Sequence, residues 1–272
     1  MFEPRTLSAD LEAVHEEYAP DALVFDVETD FETIPPAAAE NLGLVVESLS
    51  PASYPTEWLP PEVPQLLGAY ASSDFTIGMP GDGTVVWTRQ TTPPTVFLKH
   101  RAKNTPDHFL DFLVAEAFVQ LSFEDVPEHF LPFFGEHYRD LTEAIPAGPN
   151  EVYQIALALF EGWIGLHTRD VFASWEGEHD ALYDTWEDTG ERLDERLADL
   201  PRAVALGDTS FANATEYACS AIKHGRELPA PFAALDTEAY LEYGPAYAVR
   251  WAEKTFEQLA EKHDARRESE SN

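Results

Sequence analysis

Lys99 and Arg101 stand two residues apart in Lys99-His100-Arg101-Ala102-Lys103, the densest basic run of an otherwise acidic chain. Alternate residues of a strand share a face roughly 6.5 to 7 Å apart, so both side chains could close on one phosphate or carboxylate, the guanidinium supplying a bidentate fork. Arg89, beside Trp87, falls on the other face of the same predicted sheet and is the third cation of this anion-binding candidate. Between residues 63 and 106 the acids are Asp74 and Asp82, against Arg89, Lys99, Arg101 and Lys103, a net +2 inside a chain of formal net charge −33. The island is either a site for an anion or the ends of a buried sheet whose cations pair with the protein's own carboxylates.

Glu116 and Glu161 are candidates of a second kind, each embedded in an apolar run: Phe112-Leu-Val-Ala-Glu116-Ala-Phe-Val and Ile155-Ala-Leu-Ala-Leu-Phe-Glu161-Gly-Trp-Ile. A carboxyl group buried there would hold its proton more tightly and could act as a general acid or base, unless it lies on a narrow polar edge. Gly135-Glu-His137-Tyr-Arg-Asp140 and Gly165-Leu-His167-Thr-Arg-Asp170 each put His and Asp three apart on one helical face, and Glu176-Gly-Glu-His179 has one Glu-x-x-His spacing. The first two segments resemble each other and on facing helices could offer a two-His, two-Asp metal site, but they read as His-Asp surface pairs; the third lacks the second copy that a di-metal bundle needs and reads as an acidic helix end. No phosphate loop, dinucleotide fingerprint, nucleophile elbow, zincin helix or paired-Cys motif occurs, and the sequence predicts no metal and no cofactor. Tyr240, Tyr243, Tyr247 and Trp251 form an aromatic stripe beside Gly244-Pro245, at a spacing that suits packing.

The elements that must hold these side chains fall into two parts. Residues 7–18 read as a short amphipathic helix capped by Ser8, 22–27 as a buried strand, and 36–49 as a helix opened by Pro35-Pro36. The period then changes to two. Runs 75–79, 84–90 and 95–101, joined by Pro80-Gly-Asp-Gly83 and Thr91-Thr-Pro-Pro94, predict an antiparallel meander with Val86, Phe97, Lys99 and Arg101 on one face and Trp87, Arg89 and Val96 on the other. After Pro106 the 3.6 period returns, predicting helices at 107–122, 128–145, 150–175, 178–200, 210–225 and 237–262. The expected fold class is α+β, a small antiparallel sheet in the N-terminal part and a mainly helical C-terminal bundle. The expected division is an α+β region at 1–104, a helical bundle at 105–264 packed with it, and a mobile tail at 265–272.

The whole chain sets the conditions under which any such site works. Fifty Asp and Glu against 17 Lys and Arg repel nucleic acid and anionic membrane faces, so neither is an expected partner. The content of AVILMFWYC, 44%, is too high for a disordered polyanion. The first residues show neither a basic nor an apolar segment of a secretory signal, the longest apolar run (155–160) is far too short to span a bilayer, and the one cysteine, Cys219, has no disulfide partner; the expected location is cytoplasmic. Five lysines beside twelve arginines and fifty acids resemble a haloarchaeal cytoplasmic protein, and the opening helix with its Asp21-Ala-Leu-Val-Phe-Asp26 strand resembles an uncharacterised haloarchaeal protein family. That resemblance implies an environment of high salt and no activity. With no catalytic constellation visible, the sequence reads as a non-catalytic binding or scaffold protein with a small anionic ligand or a protein as partner; the alternative is an enzyme acting on a small anionic metabolite.

Overall fold

The N-terminal elements are β1 (Phe2–Pro4), α1 (Ala9–Tyr18), β2 (Leu23–Val27), α2 (Pro36–Leu42), β3 (Ser48–Leu49), α3 (Gln65–Ala71), β4 (Val85–Thr88), β5 (Thr91–Thr92) and β6 (Thr95–Leu98). The helices α4 (Asp107–Ser122), α5 (Phe130–Phe134), α6 (His137–Ala144), α7 (Pro149–Ser174), α8 (Asp180–Leu206), α9 (Phe211–Lys223) and α10 (Glu238–Glu270) follow. This computed structural model describes residues 2–71, 76–77 and 83–270, with the backbone alone at 69 and 262–270. The class is α+β, as the change of period from two to 3.6 predicts.

The main sheet is mixed rather than antiparallel throughout. Its order is β1-β2-β6-β4: β2 runs parallel to β6 with Phe25 opposite Phe97, while β1 and β4 are antiparallel to their neighbours, Val86 facing Phe97. β4 and β6 pair across the Pro93-Pro94 turn as their alternation predicts. Val86, Phe97, Phe25, Val27 and Ile77 then bury one face with Ile34, Ala38 and Leu42 of the α2 region. α4 covers the other face, where Gln120 accepts the Trp87 indole N–H at 2.7 Å. Of the predicted strand at 75–79, Phe75, Gly78 and Met79 lie outside the described residues, and Thr76 bridges Thr33. The strand reading of 95–101 ends early: β6 stops at Leu98 and residues His100–Asn104 wind into a 3-10 turn. The helix expected to reach residue 49 ends at Leu42, because Ser48 and Leu49 pair with Thr91 and Thr92 as the β3–β5 ribbon.

Two compact units emerge, one of Met1–Thr56, Gln65–Pro132 and Thr168–Glu191, the other of Glu57–Pro64, Phe133–His167 and Arg192–Asn272. The helix predicted over 128–145 is two helices, since Gly135 turns at φ +52°, a region glycine enters without a Cβ clash. α7 and α9 approach so closely that a Cβ at Gly165 would lie 2.9 Å from the Lys223 backbone nitrogen, and one at Gly162 would lie 3.1 Å from Cys219 Sγ. Cys219 is thus the small residue this crossing demands, and burial, with the charge of Glu161 adding to it, pushes its thiol pKa up. α10 kinks at Gly244 (φ +44°) and Pro245. Proline has no N–H for the Leu241 carbonyl one turn back, and the Trp163 indole supplies the missing donor at 3.1 Å. The α10 backbone continues through Glu270 across the segment expected as a tail; residues 271 and 272 lie outside the described residues.

Candidate functional site

Lys99 and Arg101 do converge on one carboxylate, and it belongs to the chain itself. Lys99 follows the last residue of β6 and is 1% exposed; its Nζ lies 3.1 Å from Glu32 Oε2. The 3-10 turn swings Arg101 round to the same group, with Nη2 3.0 Å from Glu32 Oε1 and Nε 3.3 Å from Asp30 Oδ2. The Arg101 backbone N–H also donates to Asp30 Oδ1 at 3.2 Å. Strand alternation alone would have set the two cations side by side. The turn achieves the convergence instead, and the segment leading to the Thr33–Thr76 bridge brings the acids.

Arg89, the third cation of the island, serves a different end of the unit. Its guanidinium lies 4.7 Å from the Trp87 ring centre and donates to the carbonyls of Leu121 (3.1 Å), Phe123 (2.7 Å) and Val126 (2.7 Å). These are carbonyls at and beyond the end of α4, where intrahelical donors run out and a cation is favoured. Burial holds the Arg89 pKa below its ordinary value, with the charges of Glu128 and Glu124 opposing.

Around Arg89 lies a cluster that the sequence did not single out. Glu128 Oε1 accepts from the Arg89 backbone N–H at 2.6 Å, and its Oε2 accepts from the Thr88 hydroxyl and the Gln90 amide, both at 2.9 Å. Burial raises the Glu128 pKa while these donors and the Arg89 charge pull it down. Gln90 also donates to the Thr76 carbonyl and accepts from the Ala52 N–H at 2.7 Å. Next in the chain, His129 is buried; its Nδ1 accepts the Leu131 N–H at 3.3 Å and its ring stands edge-on to Tyr54 and Tyr70 at 5.0 and 5.2 Å. Its pKa is pushed down to about 3 by burial, so it is neutral, and Tyr54 is raised by burial and by the charge of Glu128. The signal that would have pointed here is slight: a Glu-His pair after Pro127, at a helix start, with no periodic context.

Glu116 and Glu161 belong to different units. Glu116 is 6% exposed on α4 and accepts from the Gln120 amide at 3.3 Å, the residue that also holds Trp87. Glu161 is half-buried beside the α7–α9 crossing. His137 pairs with Asp140 at 3.1 Å on an exposed face, whereas His167 packs on Trp163 at 4.3 Å and His179 on Trp175 at 6.0 Å. The resemblance between the 135 and 165 segments is therefore not structural, since Gly135 makes a turn and Gly165 a helix crossing. Among the described residues no group of three or more His, Cys, Asp or Glu side chains is placed to hold a metal ion.

A family model described as a family of unknown function, DUF7089, matches residues 1–259. No curated protein and no solved structure matches the chain.

Proposed function

Because the chain belongs to the DUF7089 family, whose function is unknown, we propose from its own residues that it is a non-catalytic binding or scaffold protein of a salt-rich cytoplasm. The observation that carries this reading is the engagement of the basic island. Lys99 and Arg101 neutralise Glu32 and Asp30, and Arg89 ends α4, so all three cations serve the fold. The surplus of acids supports a high-salt setting, where the Debye length falls to roughly 3 Å and self-repulsion is screened. No helix among the described residues is long and apolar enough to cross a membrane, which fits the cytoplasmic part of the proposal.

The test is to incubate the purified protein in 3 M KCl with a panel of anionic metabolites, following retention by gel filtration and conversion by mass spectrometry. Retention without conversion is the expected result. One observation favours the alternative, an enzyme acting on a small anionic metabolite: Glu128 is half-buried, holds its proton more tightly than an ordinary carboxyl and adjoins Arg89 and Tyr54. Conversion that disappears in Glu128→Gln would establish the enzyme and overturn the binding reading.

A further inference from the structure

The second unit contains a cleft of about 350 Å³, at the small end of the range for small-molecule sites, between α10 and the 3-10 turn Phe232–Leu235. Two ridges of α10 line it at four-residue spacing: Tyr247, Trp251 and Thr255 on one, Arg250, Lys254 and Gln258 on the next. The first ridge is fixed in place. Tyr247 donates its hydroxyl to the Ala234 carbonyl at 2.8 Å and Trp251 its indole N–H to the Pro231 carbonyl at 3.1 Å, so the half-buried Tyr247 ring stands as a fixed wall while Trp251, 5% exposed and packed on Phe211 and Phe232, shows the cleft only an edge. The second ridge is exposed and carries two cations one helical turn apart.

These cations differ from those of the basic island. Lys99, Arg101 and Arg89 all meet groups of the protein, whereas among the described residues neither Arg250 nor Lys254 is drawn into an ion pair, although Glu253 and Glu257 follow them on the same helix. In a chain with about three acids for every base, two cations one helical turn apart that engage neither Glu253 nor Glu257 stand at the mouth of the cleft and leave their donors to an incoming anion.

We propose that this cleft binds a phosphomonoester with a small planar body. Arg250 and Lys254 together supply two positive charges, matching a phosphate of about −1.5 to −2 better than a single carboxylate. Gln258 adds an amide donor beside them, and the body lies against the Tyr247 ring and the exposed edge of Trp251. In molar salt only such contact pairs keep their strength, and the aromatic wall contributes a part that salt does not screen. The inference rests on the binding reading above and gives it a ligand class.

Phenyl phosphate is the probe, titrated calorimetrically in 2 M KCl beside inorganic phosphate, benzoate and phenol. Saturable one-to-one binding of phenyl phosphate is expected, at least tenfold tighter than that of benzoate or of inorganic phosphate, with no binding of phenol. Arg250→Gln with Lys254→Gln, both exposed positions, should weaken it at least tenfold while the circular dichroism spectrum is unchanged, and Lys254→Glu alone should abolish it. Absence of saturable binding to the wild type, equal binding of benzoate, or undiminished binding by the double variant overturns the proposal and leaves the non-catalytic reading standing. Release of phenol from bound phenyl phosphate would do the reverse, keeping the site and overturning the non-catalytic reading.

Discussion

Lys99 and Glu32 show how far a single ion pair depends on its surroundings. Lys99 is sealed from solvent, whereas the Glu32 side chain is 26% exposed and shares a second cation, Arg101. Removing the acid strands a buried ammonium group; removing the base leaves a carboxylate that still has Arg101 and water. Glu32→Ala should therefore cost about 3 kcal/mol or more, and Lys99→Met distinctly less, in chemical denaturation at 3 M KCl. Equal losses would show that the pair is not organised around the buried nitrogen. His129 gives a pH signature of defined sign. Its folded pKa of about 3 lies below the ordinary value of 6.5, so its contribution is complete above pH 6.5 and is lost as the pH falls towards 3. At pH 4.5 two units of that window have been crossed, roughly 3 kcal/mol at ~1.4 kcal/mol per unit. His129→Phe should remove about that much of the stability difference between pH 7.5 and 4.5, and subtracting variant from wild type cancels the carboxylates common to both. A slope identical in the two proteins would mean that the ring is reached by protons without unfolding.

At the scale of elements, α7 and α9 touch through glycine and cysteine. Gly165→Ala forces a methyl against the Lys223 backbone, which cannot swing aside as a side chain end could, so a loss of about 1–3 kcal/mol is expected. Gly148→Ala, with nothing within 4 Å, should fall within about 0.5 kcal/mol of wild type in the same thermal melts. What could be read beforehand divides along similar lines. Period two identified β4 and β6 and the shared face of Val86 and Phe97; period 3.6 identified α8 with a stripe of Leu182, Trp186, Thr189, Leu193, Leu197 and Leu200, of which Thr189 and Leu193 are only half-buried. Pairing was not legible, because a five-residue apolar strand such as β2 is equally content with a parallel or an antiparallel neighbour. The break at Gly135 was hidden because the apolar period continues across it. Of the candidate sites, Lys99 and Arg101 were visible as a pair, but the spacing was read as strand alternation whereas a 3-10 turn brings them together, and Glu32 and Asp30 arrive from about 70 residues away, a distance no local pattern encodes. Tyr247 and Trp251 were visible as a stripe, while the link to Arg250 and Lys254 needed the turn at Pro231 to make a cleft of them.

For the whole molecule the dominant quantity is 50 acids against 17 bases. Interior ion pairs such as Lys99–Glu32 absorb few of the acids, and the rest repel one another across the surface. The melting midpoint should therefore climb steeply from 0.1 M to 3 M KCl, and an unchanged midpoint would contradict the high-salt setting. The same charge acts earlier in the life of the chain, through the parallel pairing of β2 with β6. Residue 23 leaves the ribosome some 70 residues ahead of residue 95, a delay of roughly 4–14 s at ordinary rates of translation. During that interval β1 can already lie along one edge of β2, but the other edge, with Val24, Phe25 and Val27, has no partner and would template the growing chain on the next ribosome. Residues 1–30 hold nine acids and one arginine, a net charge of −8, so neighbouring nascent chains on one messenger carry like charges at the stretch that is exposed longest. Acidity that makes the finished protein dependent on salt thus also keeps its unfinished copies apart.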